Sequence, residues 1–425
     1  MNTHRTFFSP RRIGWILVGV VLGFALPGAG SATQEVTALV GARIWDGTGA
    51  AAISNGLMLI RDGRITYVGS RGAVPIPSGA TVVNLDGRTI IPGLINTHGH
   101  VGSIGGSSRE NLTGQLRLYA EYGVTTVNSL GGEGPEAIAL RDEQSRTGLD
   151  RARIFVAGAV VTGNTVDAAL AVVQRNADMG VDWMKLRVDD NLGRSQKMSP
   201  QIYSAIIDRS HELGLRLASH LFSLSDAKAL MRAGTDFLAH SVRDMDVDDE
   251  FLGMLAESGI CYTPTLTREV STYVFESRPD FFDDPFFTSH FDQGEQEQFQ
   301  TSRQAASARS QAYKEALRVA LRNVKAIVDA GLPVVMGTDT GPAGRYQGYF
   351  EHMELDLMAE AGLTPEQILR SATGLAAECL RMDDEIGTLR PNRWADFIVL
   401  TENPLVDIRN ARTIESVWIA GEPLR

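Results

Sequence analysis

The sequence predicts an α/β protein: a (β/α)8 TIM barrel that carries a small β-sandwich domain built from both ends of the mature chain. Two observations predict it. Eight apolar, β-rich runs alternate with helical patterns between about residues 89 and 387, and short strand-like runs without helices flank them. A doubly wound sheet is the alternative, but no Gly-x-Gly-x-x-Gly motif follows a first strand.

The two ends of the mature chain are predicted to form one domain, from residues 33–88 and 388–425. Strand-like runs occupy residues 36–40, 56–60 and 64–68, and Asp62-Gly63 between the last two is a strong hairpin signal. Two further runs, 394–400 and 414–419, lie at the far end. Short strand-rich ends bury their apolar faces best against each other, which predicts the sandwich.

The middle, residues 89–387, is predicted to be the barrel. Its strand-like runs are 89–95, 124–127, 154–161, 183–188, 215–219, 237–239, 260–263 and 333–336. Helical patterns at 200–213, 224–233 and 312–330 each end close to a glycine, the usual residue after a helix. The long connection at about 266–311 is rich in Phe, which predicts a lid or a subunit contact, with a packed surface helix as the alternative.

The composition argues against a nucleic-acid-binding protein and against a scaffold held by many disulfides. The 425 residues carry 40 Lys and Arg against 51 Asp and Glu, a net charge of -11, which argues against a nucleic-acid partner. Cys261 and Cys379 could form at most one bridge, and we expect two buried thiols.

Residues 1–32 are typical of a signal peptide. Arg5, Arg11 and Arg12 precede an apolar run, 13–26, and small residues up to Ala32 follow it. We therefore expect an exported protein, periplasmic or secreted, without stable membrane association after cleavage. An uncleaved anchor is the alternative, although the run is shorter than a bilayer span.

Polar residues that can bind a metal stand at the ends of predicted strands. They are His98, His100, His220, His240 and Asp339. Each alone has an ordinary structural explanation, as a core histidine or a helix cap. In a barrel, however, the carboxyl ends of the strands converge on the active site, so the set together predicts a metal centre.

Lys185 is unusual because it lies in an otherwise apolar strand. Burial lowers the pKa of a lysine and makes its neutral amine nucleophilic. A neutral amine can add CO₂ and become a carbamate, an anionic oxygen ligand that two metal ions can share. A solvated lysine, or an ion pair with Asp189 or Asp190, is the alternative.

These residues resemble the amidohydrolase superfamily, in particular its imidazolonepropionase-related and Xaa-Pro dipeptidase-like branch. The matching segments are 91–100, 122–127, Lys185, His220, His240, 338–340, 387–400 and 403–405. They span nearly the whole mature chain. The resemblance implies a barrel with a β-sandwich and a hydrolytic metal site.

The resemblance also implies roles. His98, His100 and Asp339 would bind one divalent ion, His220 and His240 a second, and a carboxylated Lys185 would bridge them. A metal-bound hydroxide would attack the carbonyl, and Asp339 would pass its proton to the leaving nitrogen. We expect zinc, with manganese, iron or cobalt as alternatives.

Two departures from the family pattern stand out. Asn96 occupies a position where the family usually has Asp, and Leu221 and Phe222 follow His220 where small residues are common. The first changes the charge beside the His pair, and the second narrows the pocket.

The sequence therefore predicts a metal-dependent amidohydrolase that cleaves the C–N bond of a small amide or peptide, such as an N-acyl amino acid or Xaa-Pro dipeptide. Arg187, Arg243 and Arg345 are candidate ligands for a substrate carboxylate. A hydrolase of cyclic amides, lactones or carbamates, and an inactive scaffold relative, are the alternatives. We also expect a homo-oligomer.

Overall fold

The computed structural model of the chain describes residues 35–302 and 308–425. The predicted signal peptide, residues 1–32, lies outside the described residues, as do residues 303–307 of the Phe-rich connection. Among the described helices, none is both long enough and apolar enough to cross a bilayer.

Strands and helices alternate through the middle of the chain. In chain order the strands are β1 Val36–Val40, β2 Arg43–Ile44, β3 Gly56–Arg61, β4 Arg64–Ser70, β5 Thr81–Asn84, β6 Thr89–Pro92, β7 Leu94–Gly99, β8 Val124–Ser129, β9 Arg153–Val156, β10 Trp183–Arg187, β11 Arg216–His220, β12 Phe237–Ala239, β13 Cys261–Thr263, β14 Phe397–Leu400, β15 Ile414–Ile419 and β16 Glu422–Pro423. The α-helices are α1 Arg109–Glu121, α2 Pro135–Asp142, α3 Val166–Met179, α4 Pro200–Glu212, α5 Leu224–Arg232, α6 Asp249–Ser258, α7 Leu266–Val270, α8 Pro285–Thr288, α9 Gln293–Thr301, α10 Ala308–Asp329, α11 Tyr349–Glu360, α12 Pro365–Ser371 and α13 Gly374–Leu380. Short 3₁₀ helices cover Val274–Glu276, Asp280–Asp283 and Ile408–Arg412. The α/β class predicted from the sequence is confirmed.

Two mainly antiparallel sheets contain the strands from the two ends. One has the order β4-β3-β1-β5, and its β3–β4 hairpin turns at Asp62 and Gly63, both with positive φ, as the sequence predicts. The other has the order β16-β15-β14-β6-β2, so strands from residues before 93 pair directly with strands after 396. One apolar cluster contains residues of both sheets, among them Met58, Ile60, Phe397 and Val399.

Two parallel sheets form the middle of the chain, β7-β8-β9 and β10-β11-β12-β13. Strands stand in sequence order, without the reversal of a doubly wound sheet. Single parallel bridges join Val161 to Leu186, Tyr262 to Val334, and Gly99 to Thr340. The two sheets are therefore linked at both of their outer edges, either directly or through residues 334–340.

Three predicted strands differ in the structure. The run 154–161 is a strand only to Val156, where β9 ends, and Val161 makes a single bridge. The run 89–95 is two strands, because β6 pairs antiparallel with β14 while β7 pairs parallel with β8. Gly93 separates them, and a side chain there would collide with Thr125 at 2.1 Å. The run 333–336 is no regular strand, although Val335 donates to Tyr262 and accompanies a bridge.

A buried ion pair joins the terminal strands to the parallel sheets. Arg153 at the start of β9 donates to both carboxylate oxygens of Asp396, which precedes β14, at 2.6 and 3.2 Å. The same carboxylate accepts from the main chain of Ala420 at 2.7 Å. Its full set of donors offsets the cost of burying the charge.

The cysteines do not remain free thiols. Cys261 begins β13 and Cys379 lies in α13, and they form a disulfide with Cα atoms 6.0 Å apart. The expectation of two buried thiols is therefore wrong. The sequence shows that both positions are apolar in character, but only the fold brings two residues 118 apart in the chain together.

The Phe-rich connection after β13 is a set of short helices, α7 to α9, packed around aromatic side chains. The buried members of this aromatic cluster are Tyr122, Phe275, Phe282, Phe287, Tyr346, Tyr349 and Phe350. Phe281, Phe286, Phe291 and Phe299 pack on its outside. The connection thus packs its Phe side chains against Tyr122 and against Tyr346, Tyr349 and Phe350 near the start of α11; its roles as a lid or a subunit contact stay predictions.

Candidate metal centre

Five of the six predicted ligands lie in a parallel strand or directly after one, and the sixth, Asp339, lies beside the bridged residue Thr340. His98 is in β7 and His100 follows it; Lys185 is in β10, His220 ends β11 and His240 follows β12; Asp339 lies between the bridged residues Val334 and Thr340. Parallel register sets Lys185 beside Ala218 and Arg187 beside His220. The six side chains are therefore directed to one end of the sheets.

The structure brings these side chains together. Ligand atoms of His98, His240 and Asp339 lie within 4.8 Å of one another. The Nε2 atom of His100 is 2.8 Å from Asp339 Oδ1, and the rings of His220 and His240 are 4.1 Å apart. Lys185 Nζ lies 3.1 Å from His98 Nε2. Residues from five separate parts of the sequence thus form one cluster.

Lys185 is buried and contacts a histidine rather than an acid. Asp189 instead pairs with His220 and Arg187, so neither the solvated nor the ion-paired alternative describes Lys185. Burial lowers the pKa of the Lys185 ammonium to about 7. A substantial fraction of this amine is therefore neutral near pH 7.

His98, His220 and His240 are neutral, and Asp339 is ionised. Burial lowers the pKa of His220 to about 3 and those of His98 and His240 well below the ordinary value. Burial alone would raise the pKa of Asp339, but Arg345 and His100 hold it well below its ordinary value. Neutral imidazoles and a carboxylate are the forms that bind divalent ions.

Outer contacts fix the ring orientations. His100 Nδ1 lies 3.0 Å from the carbonyl of Gly131, and His240 Nδ1 lies 2.6 Å from Thr265 Oγ1. His220 Nε2 lies 3.0 Å from Asp189 Oδ2. Such contacts hold the rings of metal ligands in place.

Two of the ligands have strained backbones. His240 has a φ of 127° and Asp339 a φ of 61°. Non-glycine residues rarely adopt positive φ, and such strain concentrates at functional sites. Gly341 must be small, because a Cβ there would lie 2.4 Å from the main-chain oxygen of His100.

A buried carboxylate that sequence reasoning missed supports the His pair. Glu351 Oε1 accepts from Asn96 Nδ2 at 2.6 Å, and from the hydroxyls of Thr338 and Thr340 at 2.7 and 2.6 Å. Asn96 Oδ1 in turn accepts from the main-chain N–H of His98 at 2.9 Å. Helix α11 therefore places the carboxyl group of Glu351 beside Asn96, and burial raises the pKa of that carboxyl group above its ordinary value. No feature of the sequence indicates this pairing, because Glu351 lies in a helix 255 residues after Asn96.

The structure places the three predicted substrate arginines in different settings. Arg243 is buried, donates to the carbonyls of Leu221 and Ser241 at 3.0 and 2.7 Å, and lies 3.0 Å from Glu269. Arg243 therefore connects the loop after β11 with the loop after β12. Its contacts do not support a role in binding a substrate carboxylate.

Arg345 contacts the carboxylate of Asp339 through Nη1 and donates to Ser271 Oγ at 3.1 Å. It therefore neutralises the predicted proton-transfer residue. Arg187 is 40% exposed through its side chain, and its closest ionic contact is 3.6 Å, to Asp189. Its side chain shares a strand face with Lys185, because residues two apart in a strand point the same way.

The family model for the amidohydrolase family matches residues 89–424. The chain belongs to the amidohydrolase family. Among curated relatives of this amidohydrolase, the imidazolonepropionase of Streptomyces avermitilis is 23% identical over 431 residues, with 88% of each chain covered. Ochratoxinase of Aspergillus niger is 26% identical over 239 residues, covering 55% of this chain and 43% of that enzyme.

Solved structures agree. A candidate prolidase of Bifidobacterium longum has a TM-score of 0.76 and 26% identity, covering 92% of this chain and 94% of its own. A Xaa-Pro dipeptidase has a TM-score of 0.74 at 20% identity, covering 92% and 99%, which shows a shared fold of the TIM-barrel type. The resemblance predicted from the sequence is confirmed. This amidohydrolase is a hydrolase that acts on carbon–nitrogen bonds.

The residues present fit a metal. His98, His240 and Asp339 offer three donors in a buried cluster, and the buried His98 Nδ1 has no hydrogen-bond partner among the described residues. Neutral histidines with a carboxylate suit zinc and other first-row ions. The site therefore has the donor chemistry that its family requires.

Proposed function

We propose that this amidohydrolase cleaves the amide or peptide bond of a small substrate, such as an N-acyl amino acid or a Xaa-Pro dipeptide. The convergence of four histidines, Asp339 and Lys185 at one end of the parallel strands carries the proposal. The likeness to a candidate prolidase supports the peptide-like substrate class.

We infer two divalent ions, with zinc as the expected metal. His98, His100 and Asp339 would hold one, His220 and His240 the other, and a carboxylated Lys185 would bridge them. The neutral fraction of Lys185 near pH 7 supports carboxylation, since only a free amine adds CO₂. When bound, the ions polarise the scissile carbonyl and lower the pKa of water.

The chain's own residues would do the rest. Asp339 is ionised and lies at the centre of the cluster, so its carboxylate can accept the proton of the attacking water and deliver it to the leaving nitrogen. Arg345 holds the Asp339 carboxylate in one orientation through Nη1. The bulky Leu221 after His220 is fully buried and limits the room beside it.

We also propose the finer architecture predicted from the sequence. The parallel strands would close into a (β/α)8 barrel over residues 89–387, supported by the bridges at Leu186, Val334 and Thr340. The two antiparallel sheets, from 33–88 and 388–425, would form the sandwich around their shared apolar cluster.

Export to the periplasm or medium stays a proposal. The disulfide between Cys261 and Cys379 supports it, because such bonds persist mainly in oxidising compartments. Mass spectrometry of the protein from its source would test cleavage after Ala32. Light scattering would test the expected homo-oligomer, and fractionation of cells the expected absence of membrane association.

Metal content per chain, measured by elemental analysis after purification with bicarbonate, tests the metal proposal. About two ions, falling toward one in Lys185→Ala, support it. One ion regardless of Lys185 would reject the bridge and favour cyclic amides as substrates. No metal under any loading condition would favour an inactive relative.

Turnover tests the mechanism. Asp339→Asn keeps the size of the side chain but removes its basicity, so amide hydrolysis should fall at least a hundredfold. Because Asp339 is also a proposed ligand, the metal content of the variant must be measured in parallel. Retained turnover with full metal would contradict the role of Asp339.

A further inference from the structure

Two cavities flank the metal centre and differ in chemistry. The Arg187 cavity, of about 440 Å³, is lined by Thr162, Asn164, Arg187, Asp189, Lys197 and Ile202, among others. The Phe299 cavity, of about 350 Å³, is lined by Leu118, Phe291, Phe299, Pro342, Arg345 and Tyr346, among others. Both volumes lie in the range of small-molecule sites.

The Arg187 cavity borders the ligand His220. Oδ2 of Asp189 lies 3.0 Å from His220 Nε2 and 3.6 Å from Arg187 Nη2, so the guanidinium is no more than about two hydrogen-bond lengths from the ring. Arg187 makes no hydrogen bond among those observed in the described residues. Lys197, the other cationic residue that lines this cavity, donates from Nζ to Asp226 Oδ2 at 2.7 Å.

Arg187 therefore stands apart from the other two arginines. Arg243 is buried between loops and Arg345 contacts the carboxylate of Asp339, whereas Arg187 lines a cavity and its side chain is 40% exposed to solvent. A partly exposed guanidinium with a planar fork of donors is the group best suited to bind a carboxylate in two bonds.

The Phe299 cavity borders the ligand Asp339 through Arg345, which contacts that carboxylate and also lines the cavity. Its walls are mainly apolar, with Glu295 as an exposed acid at the rim. Gly344 packs so closely on Phe299 that a Cβ would lie 2.8 Å from its ring. The Phe-rich connection thus forms one wall of a cavity against the catalytic loop.

The two cavities border candidate ligands from different parts of the chain. Arg187 ends β10, beside β11, while the Phe299 cavity lies on the loops after β7 and after residue 340. His220 contacts Asp189 of the Arg187 cavity, and Asp339 contacts Arg345 of the Phe299 cavity. A substrate with its amide at the centre would direct one end into each cavity.

We propose that the substrate is an N-acyl amino acid with a bulky apolar acyl group, its carboxylate bound by Arg187 and its acyl group in the Phe299 cavity. This inference rests on the proposed amide hydrolysis. Water would add to the acyl carbon as the C–N bond breaks, which gives a carboxylate and an amino acid whose nitrogen takes the proton.

The test crosses two substrate changes with two variants. The substrates are N-(3-phenylpropanoyl)glycine, N-acetylglycine and the glycinamide form of the first. For the wild type we expect the first compound to have the highest kcat/KM. In Arg187→Gln, kcat/KM for this compound should fall about tenfold to a hundredfold, mostly through a higher KM. The value for the glycinamide should stay the same, because only the carboxylate substrate makes a charged hydrogen bond with Arg187 that the substitution removes.

Phe299→Ala should reduce the preference for phenylpropanoyl over acetyl and leave the preference for the carboxylate intact. Arg194→Gln, an exposed arginine in the same loop but outside the cavity lining, is the matched control. Arg187→Lys, which keeps the charge but not the fork, should fall between Gln and the wild type.

Calorimetry on metal-depleted protein gives a readout besides turnover, with binding of the phenylpropanoyl compound expected to weaken in Arg187→Gln. If the metal-loaded wild type cleaves neither these amides nor a Xaa-Pro dipeptide, the proposed function fails; if it cleaves only the dipeptide, this inference alone is wrong. If it cleaves them but treats carboxylate and carboxamide alike, or acetyl and phenylpropanoyl alike, the function stands and this inference is wrong.

Discussion

Replacing Asn96 with Asp should destabilise the protein strongly, because it puts two carboxylates in contact. Asn96 Nδ2 lies 2.6 Å from Glu351 Oε1, and both residues are fully buried. At an effective dielectric constant of about 20, two unit charges at that distance repel by about 6 kcal/mol. Relaxation and uptake of a proton reduce this, so we expect a loss of about 3–5 kcal/mol in the free energy of unfolding.

The same substitution leaves the other contact of residue 96 in place. Asn96 accepts from the N–H of His98 through Oδ1, and an aspartate oxygen can accept that bond equally well. Asn96 Nδ2 also donates to Thr338 Oγ1 at 2.9 Å, so the loss reports on the contacts with Glu351 and Thr338 together. Asn128→Asp is the matched control, since Asn128 is equally buried but donates to the carbonyl of Thr97 instead.

The double variant Asn96→Asp/Glu351→Gln exchanges the charge and the amide, so that the new Gln can donate to the new Asp. Stability should recover by about 2–3 kcal/mol relative to Asn96→Asp alone, as expected for a directly coupled pair. Urea unfolding of the metal-free proteins, followed by circular dichroism, measures both values. The reasoning would be refuted if Asn96→Asp were no less stable to urea than Asn128→Asp, or if the double variant were no more stable than Asn96→Asp.

Three more outcomes follow. Burial lowers the pKa of His352 to about 3, so as pH falls below about 6.5 the unfolded chain gains a proton that the native state excludes. The free energy of unfolding should therefore fall by up to about 1.4 kcal/mol per pH unit. The variant His352→Gln should show a smaller slope in urea titrations between about pH 4 and 7. The Cys261–Cys379 disulfide closes a long loop, so its reduction should lower the free energy of unfolding by about 2–4 kcal/mol. Dithiothreitol should therefore lower the melting temperature of the wild type and leave that of the double Ser variant unchanged. Gly341→Ala should lower metal content by displacing His100, whereas Gly331→Ala, also at positive φ but with nothing within 4 Å, should not.

Much of the metal centre could be predicted because its signals are local. His98, His220 and Asp339 each follow a short apolar run, and in parallel strands such positions meet at one end regardless of the distances along the chain. Lys185 was recognisable because a lysine is costly in an apolar strand. Strand periodicity and residue chemistry were sufficient for these residues.

Other contacts could not be predicted, because they depend on which distant elements become neighbours. Glu351 reaches Asn96 from a helix whose sequence has no feature of a metal site. Cys261 and Cys379 each looked like an ordinary buried residue until the fold set β13 beside α13. Arg187 ends a strand and Arg243 follows one, so their sequence positions look alike. In the structure Arg243 is buried between loops, whereas Arg187 lines a cavity.

The pairing of β6 with β14 has a consequence for how the chain is made. Ile90 and Ile91, which are fully buried in the finished protein, find their partners Val399 and Ile398 only after nearly the whole polypeptide has been synthesised. Until then β6 pairs only with β2, and its other edge is open, the kind of surface that associates with other chains. Truncation shortly before residue 397 would leave that edge permanently unpaired, so loss of the carboxyl-terminal strands should produce an aggregating polypeptide.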